Sequence, residues 1–154
     1  MTTVNDFLET NLNVDDLELE KSRLAKLISD IPQLSEEEKQ KLARGFLDCV
    51  LNDKAEISKR IRAALFLGNE SAELNIVGSR EILENLSSFL ENELSINKYW
   101  KKPTYLEFNF LKQVVFAVYY IDPLKGALIV RNLLRCGLSD EVASWLNGIL
   151  DKRG

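Results

Sequence analysis

A chain of 154 residues with 45% hydrophobic and 29% charged side chains has the balance of a single globular domain and excludes a polar, coreless polymer. Its net charge is −4 and it contains no histidine, which removes the side chain most used for neutral-pH proton transfer and metal ligation. Seven glycines and three prolines are too few for an all-β architecture built on many tight turns.

The acids gather early. Residues 1–53 carry 12 acidic against 6 basic side chains, a net of −6, and the remainder is close to neutral. Such an end would repel phosphates, so nucleic acid is disfavoured as a partner. Residues 1–14 read as an acidic N-terminal arm or short helix, and residues 15–154 as one helical domain. Phe7, Leu8, Leu12, Val14, Leu17 and Leu19 are interleaved with six acids over residues 1–20. The arm docks on its own domain or packs on a neighbouring subunit, and in the second case a homodimer follows. No basic n-region precedes an apolar run, which argues against a signal peptide. The longest charge-free apolar run, Val114–Ile121, is too short to span a bilayer, so no membrane insertion and a cytoplasmic location are expected.

Val14, Leu17, Leu24, Leu27, Ile28 and Ile31 recur at helical spacing and predict a helix over 15–30, ended by Pro32. Ser35 with Glu38 has the form of a capping box, and Leu42, Phe46, Cys49 and Val50 make one stripe behind it. Asp53 with Glu56 repeats the device before Ile57, Ile61, Ala64 and Leu65, and Gly68 is the expected stop. On that helix Lys59 and Arg62 share a face while Arg60 points elsewhere, the pattern of a solvated basic flank. Ser79 caps a helix carrying Ile82, Leu83, Leu86, Phe89, Leu90 and Leu94.

The stretch 97–103 breaks the pattern and reads as a surface loop. Thr104 with Glu107 then opens a helix over 105–121 that is apolar nearly all round and belongs at the centre of the domain. Asp122-Pro123 starts the next helix, with Gly137 closing it. Ser139 caps the last helix, whose buried face is Val142, Trp145, Leu146, Ile149 and Leu150. The expected fold is all-α, a single-domain bundle of about seven helices around helix 105–121. Cys49 and Cys136 sit among apolar residues and read as free, buried thiols in a reducing compartment.

No phosphate-binding glycine pattern, metal cluster or nucleophile motif occurs, so neither a cofactor nor a metal is expected, and the chain reads as non-enzymatic. Lys98, Tyr99, Trp100, Lys101 and Lys102 form the one cluster of aromatic and basic residues. It suits a partner-binding hot spot, a core plug by Trp100 with the lysines in water, or base stacking, against which the charge argues. Arg131 and Arg135, four apart, make a small cationic stripe able to clamp a carboxylate or phosphate, or to pair with an acid of the same protein.

The leading expectation is a protein-interaction module (a small regulator, adaptor or immunity-type inhibitor) that binds a partner protein. The alternative is a helical domain holding an apolar small molecule or pigment among Tyr105, Phe108, Phe110, Phe116, Tyr119 and Tyr120. Ile121-Asp122-Pro123 followed by Arg131-Asn132 resembles the last helix of the helical carotenoid-binding domains of cyanobacteria, and that resemblance implies the pigment form of the alternative.

Overall fold

The computed structural model describes residues 4–9 and 25–153. Among them all regular secondary structure is helical, with no strand. The elements are α1 (Val4–Glu9), α2 (residues 25–30) running into a 3-10 turn Ile31–Gln33, α3 (Glu36–Leu51), α4 (Ile57–Asn69) and α5 (Arg80–Glu91). Then come α6 (Glu93–Ser95) continuing as a π-helical turn Ile96–Trp100, α7 (Tyr105–Ile121), α8 (Pro123–Leu133) and α9 (Asp140–Arg153).

Helix starts follow the capping chemistry. Ser35 Oγ accepts from the Glu38 amide at 3.2 Å while Glu38 Oε1 accepts from the Ser35 amide at 3.3 Å. Thr104 and Glu107 make the same reciprocal pair at 3.2 and 2.9 Å. Asp122 Oδ1 takes the amides of Leu124 and Lys125 at 3.1 and 3.2 Å, satisfying two of the donors a helix start leaves free.

The box expected at Asp53 and Glu56 does not form. Asn52 Oδ1 captures the Lys54 amide at 3.0 Å and the Asn52 carbonyl takes the Ala55 amide at 3.1 Å. That turn holds Asp53 inside it, so α4 begins four residues later with Glu56 as an N-cap that makes no side-chain bond. Gly68 is likewise not a stop, since α4 continues to Asn69. It is a contact point instead: a Cβ there would meet Ala117 Cα at 3.0 Å, so glycine lets α4 and α7 approach.

The nearly all-apolar α7 lies in the middle, as its composition demands. Phe110, Leu111, Val114, Val115, Ala117, Val118, Tyr119 and Ile121 are all buried, and α7 packs on α4, α5, α8 and the π turn. Helix α9 closes over Phe108 and Phe116, which meet Trp145 edge-on at 5.8 and 5.7 Å. Helix α1 sits on α3 and α4, with Phe7 fully buried and edge-on to Phe46 and Phe66 at 5.7 and 5.3 Å. Phe7 and Leu8 thus dock within their own chain. The remaining apolar residues of the expected arm, and the start of the helix expected over 15–30, lie outside the described residues. No helix among the described residues is long and apolar enough to cross a membrane.

Candidate functional site

The segment expected as a surface loop is the first to be corrected. Asn92 caps α6 through Oδ1 and the Leu94 amide at 2.8 Å, and the chain stays helical through Trp100. Ile96, Tyr99 and Trp100 then fall at i, i+3 and i+4, one face of a helical turn. That face turns inward: Tyr99 is 5% exposed and Trp100 is fully buried. Trp100 therefore plugs the core and is not an exposed anchor, while Lys98, Lys101 and Lys102 stay in water. A π-helical turn is a rare local form that often marks a functional place.

Beside this turn lies a groove of about 600 Å³. The end of α3 contributes Leu51 and the turn after it Asp53, α5 contributes Asn85, Ser88 and Phe89, and α6 with the π turn contributes Leu94, Ser95, Lys98 and Tyr99. Two of the five residues expected to bind a partner, Lys98 and Tyr99, thus share one concave surface. Lys101, Lys102 and Trp100 do not line it.

Arg60 forms part of the wall, although it is only 3% exposed. Its Nε and Nη2 donate to the Val50 carbonyl at 3.0 and 2.7 Å, and Nη1 donates to the Tyr99 hydroxyl at 3.1 Å. The guanidinium lies 4.4 Å from the centroid of Phe110, a cation–π distance. Val50 is in the last turn of α3, so the cation meets the negative end of that helix and satisfies a carbonyl the helix cannot. Among the described residues no carboxylate lies at ion-pair distance from Arg60.

The reading of Lys59, Arg60 and Arg62 as a solvated flank is corrected accordingly. Arg60 faces the core, and the half-buried Arg62 donates to the Leu8 carbonyl near the end of α1. Each arginine ties a different helix end to α4. Arg60 was missed, but the signal was present: it stands three residues after Ile57 and four before Ala64, on the apolar stripe itself.

Cys49, next to Val50, is half-buried and free, as is Cys136. Burial pushes the Cys49 thiol above its ordinary range, against the pull of Arg60, Lys59 and Arg62. A thiol so held is a poor nucleophile near neutral pH. Arg131 and Arg135 are exposed but do not form one helical stripe, because α8 ends at Leu133. The amides of Arg135 and Cys136 turn back onto Asn132 and Leu133 there.

The rings of the apolar-ligand alternative are not brought together. Tyr105 is 85% exposed and Tyr120 46%. Phe108 and Phe116 pack on Trp145, Phe110 lies under Arg60, and Tyr119 rests on Gly126. Among the described residues no three His, Cys, Asp or Glu side chains are grouped to hold a metal ion. No family model, curated protein or solved structure matches this chain.

Proposed function

We propose that the protein is a non-enzymatic interaction module, a small regulator, adaptor or immunity-type inhibitor, which docks a segment of a partner protein in the groove between the α3–α4 turn, α5 and the π turn. The observation that carries this reading is the groove itself. It sets the exposed Leu94 and the Phe89 and Tyr99 rings beside two cations, the mixture of apolar anchor and polar rim that partner surfaces use. Its volume falls within the range of sites that enclose a few side chains of a ligand. The acidic surplus in residues 1–53 counts against nucleic acid as the occupant.

A photo-crosslinking residue placed at Leu94, in the full chain expressed in its source cells, tests the reading. The same residue at Glu37, exposed on α3, serves as the control. A protein captured from position 94 and not from 37 is the expected result. Identical capture at both positions, or none at 94, sinks the proposal.

A further inference from the structure

We infer that this groove reads a carboxylate: Arg60, assisted by Lys98, receives an acidic side chain of the docked segment, whose neighbouring apolar side chain lies on Leu51, Phe89 and Leu94. The inference rests on the docking reading above and names the chemistry of the partner.

A guanidinium has five N–H donors in a rigid fork. Three are used by Val50 and Tyr99, so one N–H on each terminal nitrogen remains for an arriving carboxylate, the acceptor a guanidinium binds most strongly. Among the described residues the acceptors already in place are a carbonyl and a hydroxyl, and neither neutralises the charge. The end of α3 and the Phe110 face offset part of it. A buried cation without a counter-ion is costly, and an arriving carboxylate recovers much of that cost.

Lys98 adds a second positive charge on the same wall. Its ammonium stands 5.0 Å from the centroid of the Tyr99 ring, the ring whose hydroxyl accepts from Arg60. One tyrosine thus links the two cations. Asp53 opposes them from the exposed α3–α4 turn, outside ion-pair distance of Arg60. The charged residues lining the groove sum to a single positive charge, which suits one monoanionic carboxylate better than a phosphate dianion facing Asp53. Leu51, Phe89 and Leu94 supply the apolar floor and rim that an isolated anion would not need.

The full chain is titrated with N-acetylglutamyl-leucinamide and, separately, with its neutral counterpart N-acetylglutaminyl-leucinamide, and followed by two-dimensional NMR. The glutamyl compound is expected to move the Arg60 Nε–H signal and the amides of Asn92 and Lys98 saturably. Its binding should be about fivefold tighter than that of the neutral compound, the difference between a charge-assisted and an ordinary hydrogen bond. Lys98→Gln, an exposed change that leaves the fold intact, should narrow that preference to about twofold. Because changes at Arg60 also disturb α3, Lys98 carries the mutational arm. Equal affinity for the two compounds, or shifts confined to residues outside the groove, overturns the carboxylate assignment. The docking reading falls only on the crosslinking result, so the two failures are distinguishable.

Discussion

Arg60 holds the carbonyl of Val50 with two nitrogens at once, at 3.0 and 2.7 Å, across a turn that separates two helices. This fork fixes the end of α3 against the start of α4 and thereby shapes one wall of the groove. Removing it leaves a buried carbonyl unsatisfied and takes a partner from Tyr99. It also relieves the burial of a cation, which works in the opposite direction. The hydrogen bonds should prevail, because an orphaned buried acceptor costs about 1–3 kcal/mol and the cation–π contact adds about 1–2 kcal/mol. Arg60→Met is therefore expected to destabilise the protein by about 2 kcal/mol in denaturant melts. Arg60→Lys, keeping charge without the fork, should recover only part of the loss. An unchanged midpoint for Arg60→Met would show that the fork is incidental.

Trp100 is fully buried and its indole N–H finds no hydrogen-bond partner among the described residues. Trp100→Ala should cost about 3–5 kcal/mol through the cavity it leaves. For a chain of this size the melting temperature then falls by roughly 6 °C or more. Trp100→Phe keeps most of the apolar contact and discards an unsatisfied donor, so its loss should be much the smaller. Thermal melts of the two variants side by side are decisive, and equal losses would contradict the burial argument.

Gly126 faces Tyr119 so closely that a Cβ would meet its ring carbons at 2.8, 2.9 and 3.0 Å. The ring is itself 2% exposed, and three of its atoms would have to move together. Gly126→Ala should cost about 1–3 kcal/mol from overpacking, more than the gain of about 1 kcal/mol in helix propensity. Gly148 in α9 has nothing among the described residues within 4 Å of the same position, so Gly148→Ala should be neutral or stabilising. Calorimetry that gave both variants the same sign would refute the steric account.

Glu70, just past the end of α4, has its carboxyl pushed above the ordinary 4.5, first by burial and then by the neighbouring Glu73. The native state therefore binds this proton more tightly than the unfolded chain does. The stability this brings is fully present below pH 4.5 and is lost as pH rises through the raised value. At pH 7 the ionised group is held unfavourably, at the negative end of a helix dipole. Glu70→Gln should raise the melting temperature at pH 7 and leave it unchanged at pH 3, where both side chains are neutral. A benefit of equal size at both pH values would assign the effect to something other than charge.

Much of the architecture was legible in the chain. The boxes at Ser35 and Thr104, the Asp122-Pro123 start and the apolar girth of 105–121 each depend on residues within four positions of one another, the reach of the helical hydrogen bond itself. The all-α bundle around a central α7 follows from them. The failures have the same origin. At Asn52 two local signals competed, and the turn won over the Asp53 box. Gly68 resembles a helix stop, but it is explained by Ala117, far along the chain.

The groove was legible only in fragments. Lys98 and Tyr99 stood out as an aromatic–basic cluster, and Arg60 stood on an apolar stripe without declaring why. Its acceptors lie 10 and 39 residues away along the chain, and no periodicity records which carbonyl a folded chain will leave at that spot. The capped helix starts at Ser35, Thr104 and Asp122 were decided by the sequence alone, because capping is chemistry between near neighbours. The inward turn of Tyr99 and Trp100, the capture of Val50 by Arg60 and the groove they border were decided only by tertiary packing. Burial is a property of the assembled surfaces, and a polar side chain is drawn inside only where distant segments bring it partners.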